Sequence, residues 1–142
     1  MTINEIQNDI IEEFSLFSDW TEKYEYLIDM GKDLPLIDAL LKTDDNLIRG
    51  CQSQVWLDGK IDNSGIVKFT ADSDAIITKG IIAMLIRVLS EQTPDSIAQS
   101  ELFFINKIGL KEHLSMTRAN GLSMMVKKMK MYGLAFMAKS NL

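Results

Sequence analysis

Cysteine and histidine each occur once in these 142 residues and proline only twice, and each scarcity closes off a class of protein. A single thiol cannot form an intramolecular disulfide, so nothing in the chain calls for an oxidising compartment. One Cys and one His cannot build the usual zinc site of three or four protein ligands. An iron–sulfur cluster needs several thiolates, more than one copy of this chain supplies. The eight glycines include no Gly-x-Gly pair, which excludes the common phosphate-cradling loops. Long apolar runs are also missing: the richest, residues 75–89, carries Lys79 and Arg87 and falls short of the ~20 residues a membrane span needs. The first residues show no basic flank followed by an apolar run, so no signal peptide is expected and the reading is a cytoplasmic protein.

What is present describes an ordinary folded domain. Hydrophobic residues make up 46% and charged residues 25%, enough to bury a core without staples. The length fits a single domain over residues 1–142. Of the net charge of −5, residues 1–50 carry −8 and residues 51–142 carry +3. Such a chain is a poor nucleic-acid binder, because phosphate contacts need clustered Lys and Arg. Its polarity could orient it on another protein, although solvation of helix faces accounts for most of these charges.

Apolar residues at Ile3, Ile6, Ile10, Ile11, Phe14 and Phe17 repeat in three- and four-residue steps, so the chain opens with an amphipathic helix. A second is expected over residues 19–31, with Gly31 as its C-cap, and a short helical turn over 36–42. The period then changes to two. Val55 and Leu57 alternate with polar neighbours, as do Val67, Phe69 and Ala71, with turn residues between, giving a β-hairpin. A hairpin alone is marginal, so a third strand is expected around residues 46–49. Asp72 and Asp74 precede an almost wholly apolar helix, Ile76 to Leu89, and read as its N-caps rather than as an acid/base pair. Thr93-Pro94-Asp95 starts a short helix. The last long one runs over about residues 117–138, its stripe Leu122, Met125, Val126, Met129 and Tyr132 or Gly133. Three other methionines nearby, Met124, Met131 and Met137, suit an adaptable core, and Lys127, Lys128 and Lys130 its solvated side. Helices around one small antiparallel sheet make the class α+β.

Cys51 is the residue that chemistry points to. It stands at a turn in Arg49-Gly50-Cys51-Gln52-Ser53-Gln54, not on an aliphatic face. Gly50 frees the backbone, while Gln52, Ser53 and the loop amides could stabilise a thiolate, the reactive form of cysteine. The competing reading is inert packing. His113 could in principle deprotonate the thiol in a Cys–His dyad, but a lone histidine more often bonds locally.

Three blocks carry a resemblance. Gly50-Cys51-Gln52-Ser53-Gln54-Val55-Trp56, then Asp72-Ser73-Asp74-Ala75 leading to Lys79-Gly80, then His113-Leu114-Ser115 with Arg118 and Gly121-Leu122, resemble the SufE family in order and spacing. Trp20 to Tyr24 and Gly31 to Pro35 match as well. The resemblance implies an α+β sandwich shared with IscU-type scaffolds. It implies a sulfur acceptor that takes persulfide sulfur onto Cys51 from a SufS-type cysteine desulfurase, stimulates that enzyme and delivers sulfur to a downstream iron–sulfur scaffold. Pyridoxal phosphate would belong to the desulfurase, leaving this chain with no cofactor or metal of its own, and a homodimer is common in the family. Gly50, Gln52, Ser53, Asp74 and Arg118 would support Cys51: Asp74 as a cap that also pins the loop, Arg118 against the partner or a passing thiolate. Met116 departs from the family, which often has proline there. The alternatives are a Cys51-dependent hydrolase or transferase using His113, and an interaction module with an idle thiol.

Overall fold

The computed structural model describes residues 1–140, so the last two residues of the expected domain lie outside it. Two helices open the chain, α1 (Ile3–Ser15) and α2 (Trp20–Lys32). A capping box fixes the start of α1: Thr2 accepts from the Glu5 amide and the Glu5 carboxylate accepts from the Thr2 amide. Asp19 caps α2 in the same sense through the Glu22 amide. On the inner face of α1 the wholly buried Gln7 donates to the Glu101 carbonyl (3.0 Å) and accepts from the Phe104 amide (3.1 Å). It staples the first helix to a segment almost a hundred residues away.

Two 3-10 turns, Ala39–Leu41 and Asp44–Asn46, lead to strands β1 (Val55–Ile61) and β2 (Val67–Ser73), paired antiparallel from Val55 opposite Ser73 to Ile61 opposite Val67. Asp62 closes the hairpin by accepting from the amides of Ser64 and Ile66, and Gly65 takes a positive φ of 82°. The inward positions, Val55, Leu57, Val67, Phe69 and Ala71, are all buried, as alternation requires. The expected third strand shrinks to one bridge, Leu47 with Trp56, because Arg49 and Gly50 turn the chain away. Further single bridges, Leu36 with Ala71 and Val67 with Gln92, cover part of the other edge.

Against the sheet lies α3 (Ile76–Leu89), the centre of the core, with ten of its residues buried. Gly80 explains how α2 comes so close: a Cβ there would lie 2.3 Å from the Leu27 carbonyl oxygen. Gly31, opposite it, is not the C-cap; α2 runs on through Lys32, and Gly31 is spent on this helix crossing, 3.1 Å from the Gly80 nitrogen if given a Cβ. Ile76, assigned to the core stripe by its spacing, is instead exposed at the first turn of α3.

The chain then makes α4 (Pro94–Gln99), capped by Thr93, a one-turn α5 (Phe104–Lys107) and a 3-10 turn Lys111–His113, the last two not signalled by periodicity. α6 (Met116–Ser140) closes the molecule, burying Leu122, Met125 and Met129 and packing Gly133 against the α4 backbone. Val126 and Tyr132 are only half-buried. No helix among the described residues is long and apolar enough to cross a membrane.

Candidate functional site

The amide that ends the Cys51 loop settles the role of Asp74. Its Oδ1 accepts from the Gln54 amide (3.0 Å), while the N-cap of α3 is Ala75, without a side-chain cap. The expected helix caps are therefore engaged elsewhere: Asp74 ties down the loop, and Asp72 pairs with Lys42 (2.9 Å) and Lys79 (3.5 Å). Lys42 also lies over the Trp56 ring, so both strands at this end are held from outside. At the other end of the loop Gly50 has φ +91° and sits against Met124 of α6, where a Cβ would come within 3.0 Å of Cγ. Only glycine meets both demands.

Between these two anchors Cys51 points inward. It is half-buried, and its Sγ donates to the Gly121 carbonyl of α6 at 3.7 Å. Burial pushes its pKa above the ordinary thiol value. This reverses the expectation that loop amides would stabilise a thiolate. Its hydrogen-bond partner is a carbonyl oxygen, which suits a neutral S–H and opposes a negative sulfur. Nor do the Gln52 and Ser53 side chains bond within the loop; no hydrogen bond engages either among the described residues. In this conformation the thiol is stored, not armed.

It is stored beside a chamber of about 220 Å³. The loop provides one wall through Cys51, Gln52 and Ser53; α3 provides Thr78 and Ile81. The opposite wall is Ser115 with Thr117, Arg118, Gly121 and Met125 of α6. Ser115 starts that helix by accepting from the Arg118 amide (3.2 Å), so Met116 occupies the first helical position, where the family's proline would also be tolerated. The departure leaves the turn intact. Arg118 is exposed, and its guanidinium makes no ion pair among the described residues.

The structure does not bring His113 to this chamber. Its ring stacks on Trp20 at 4.0 Å, its Nδ1 is 2.9 Å from the Gly109 carbonyl, and its own carbonyl accepts from the Tyr24 hydroxyl. Histidine here fastens the approach to α6 onto α2. A larger cleft, about 730 Å³, lies between α2, β2 and the C-terminal half of α3. It shares no lining residue with the thiol chamber and contains no cysteine, so size alone would not have selected the cavity that holds the thiol.

Thr78 was the residue that sequence reasoning passed over. It hides among isoleucines in a helix whose pattern is apolar, and only its burial beside the thiol distinguishes it. No group of three or more His, Cys, Asp or Glu able to hold a metal occurs among the described residues.

Comparison with known proteins agrees with this geometry. A family model described as SufE, Fe-S metabolism associated domain, matches residues 8–133. An uncharacterized SufE-like protein of Rhizobium meliloti is 36% identical over 85% of this chain and 89% of its own length. Another, of Rhizobium etli, is 40% identical over 85% of this chain and 84% of its own. A solution structure of a hypothetical protein from Thermus thermophilus superposes with a TM-score of 0.78 over 94% of this chain and 96% of that one; at 15% identity it speaks for the fold alone. With the family model spanning most of the chain and two SufE-like relatives 36% and 40% identical over 85% of it, this protein belongs to the SufE family of Fe-S metabolism associated proteins.

Proposed function

We propose that the protein is a sulfur carrier: Cys51 accepts sulfane sulfur from a SufS-type, pyridoxal-phosphate cysteine desulfurase, keeps it as a persulfide and passes it on for iron–sulfur cluster assembly. The observation that carries this reading is the storage of the only cysteine in a walled chamber, on a loop hinged at Gly50 and tied at Gln54 to Asp74. A carrier needs a nucleophilic sulfur, protection for its cargo and no second thiol that would resolve the persulfide.

The resting thiol must leave the Gly121 carbonyl to react, because its burial disfavours the thiolate. Docking of the desulfurase would release the two Asp74–Gln54 hydrogen bonds and swing Cys51 outward into water or against the partner's donors. Its thiolate attacks the outer sulfur of the persulfide on the desulfurase. A new S–S bond forms at Cys51, the old S–S bond breaks, and the electron pair stays on the desulfurase cysteine, which leaves as a thiolate. No oxidant or metal enters the balance. Ile76 and Met116, exposed on the first turns of the two helices that wall the chamber, offer apolar anchors for such a partner, and Arg118, without an ion pair among the described residues, offers a charge.

Intact-mass measurement of the protein after incubation with a SufS-type desulfurase and free cysteine tests this directly. We expect the mass of one added sulfur in the wild type and none in Cys51→Ser. An unmodified wild type in the presence of an active desulfurase that binds it would overturn the reading. The placement of His113 on Trp20 weighs against a Cys–His hydrolase, so His113→Ala should still take up sulfur.

A further inference from the structure

Thr78 is the one buried polar side chain in the chamber wall, 5% exposed at the third position of α3. Threonine inside a helix normally turns its hydroxyl back onto a carbonyl three or four residues earlier. Here the Oγ1 has no such bond, and among the described residues nothing else engages it. Among the described residues no buried side-chain N or O atom lacks a partner, so the hydroxyl is not sealed away, and Thr78 lines the chamber that Cys51 also lines. Its neighbours Ile77, Ile81 and Ile82 show that this helix accepts β-branched hydrocarbon freely. Valine would have the same shape as threonine without a hydroxyl to desolvate.

We infer that Thr78 is a binding residue for the cargo: its hydroxyl donates to the outer, anionic sulfur of the Cys51 persulfide when the loaded loop folds back into the chamber. The inference rests on Cys51 carrying sulfur, and it explains how a wall that disfavours the thiolate can still accept a persulfide anion. The inner sulfur stays near the Gly121 carbonyl as a neutral, divalent atom, while the charge moves one bond further out, to where a donor waits. At about 220 Å³ the chamber has room, since a water molecule takes only about 30 Å³ of liquid and a sulfur atom is modestly larger than oxygen. Hydrogen bonding to the charged form lowers its pKa, so the hydroxyl keeps the cargo anionic in place.

The test loads Cys51 without any desulfurase. Inorganic polysulfide supplies sulfane sulfur: the Cys51 thiolate forms a bond to one such sulfur, the adjacent S–S bond breaks, and a polysulfide shorter by one atom leaves. The near-ultraviolet absorption of the persulfide anion is then titrated with pH in the wild type, Thr78→Val and Thr78→Ser. We expect the midpoint to rise by about one unit, a tenfold change in the protonation equilibrium, in Thr78→Val, with Thr78→Ser close to the wild type. If Thr78→Val does not fold, Thr78→Ala must show the same rise while Thr78→Ser does not. Equal midpoints in all variants, or a wild type whose Cys51 alkylates but takes up no polysulfide sulfur, would overturn the inference. A Thr78 effect in a protein that no desulfurase loads would instead sink the carrier reading and leave this one standing.

Discussion

At its C-terminal end α3 is bolted to the rest of the molecule. Arg87 grips Glu13 of α1 with two hydrogen bonds of 2.7 and 2.5 Å, Tyr26 of α2 donates to the same carboxylate, and the Ser90 hydroxyl accepts from the Phe69 amide of β2. At its N-terminal end the same helix has no side-chain cap, an exposed isoleucine and, among the described residues, a threonine without a partner, while the loop beside it is tied at Gln54 by two hydrogen bonds with Asp74. One rigid helix thus joins a fixed end to a poised one. Local opening is cheap where buried contacts and backbone bonds are few, so the thiol was placed where it can move without loosening the core.

Gly80, midway between the two ends, gives the largest test of that contrast. Alanine there would put a Cβ 2.3 Å from the Leu27 carbonyl oxygen and 3.0 Å from its side chain, forcing α2 off α3 along the crossing with Gly31. We expect Gly80→Ala to destabilise the protein by about 3 kcal/mol, the overpacking range, measured by urea unfolding. Both ends should suffer together, since both hang on this crossing. A stable variant in which only the rate of Cys51 alkylation rose would mean the two ends are less rigidly joined than we argue.

Much of this frame was legible in the sequence because it rests on periodicity. The helix at residues 76–89 and the hairpin's Val55, Leu57, Val67, Phe69 and Ala71 follow from burial on one face, and burial is what pattern encodes. Cys51 was legible for the opposite reason, as a thiol out of pattern at a turn. What failed was the assignment of partners. Asp74 has the composition of a cap, but an amide twenty residues back in the chain competes for the same oxygen and wins. Gly31 has the position of a C-cap, but helix–helix contact claims it first. Thr78 was invisible because its significance lies in a bond it does not make. Such choices depend on long-range neighbours, which spacing along the chain cannot supply.

Asp74 offers a medium-sized test at the poised end. Removing its carboxylate in Asp74→Ala takes away the one side-chain bond, among the described residues, to the loop backbone between Gly50 and Val55, and leaves the main-chain bond from position 74 to the Gln54 carbonyl. A hydrogen bond of this kind contributes about 0.5–1.5 kcal/mol, so Cys51 should react with iodoacetamide about 2–10 times faster, while Asp74→Asn, which keeps an acceptor oxygen, should lie close to the wild type. Midpoints of unfolding should barely move. An unchanged alkylation rate in Asp74→Ala would show that Gly121 and Met124, rather than Asp74, hold the loop shut.

The bolted end should betray itself by a weaker effect, one that disappears in acid. Arg87, by its hydrogen bonds, holds the Glu13 carboxyl below its ordinary pKa of 4.5, against a smaller opposing push from burial. A carboxylate with a depressed folded-state pKa adds stability that is complete above the unfolded value and disappears as pH falls through the folded one. Both partners are about one-third exposed, which limits the pair to roughly 1 kcal/mol, near the top of what surface ion pairs contribute. Glu13→Gln should therefore unfold at lower urea than the wild type at pH 7, and the gap should close as pH drops below about 4.5. Cys51 alkylation at pH 7 should be the same in both proteins, because the lost bond lies at the other end of α3. A Glu13→Gln protein with faster alkylation would show that loosening one end is felt at the other, and that the helix transmits strain rather than isolating it.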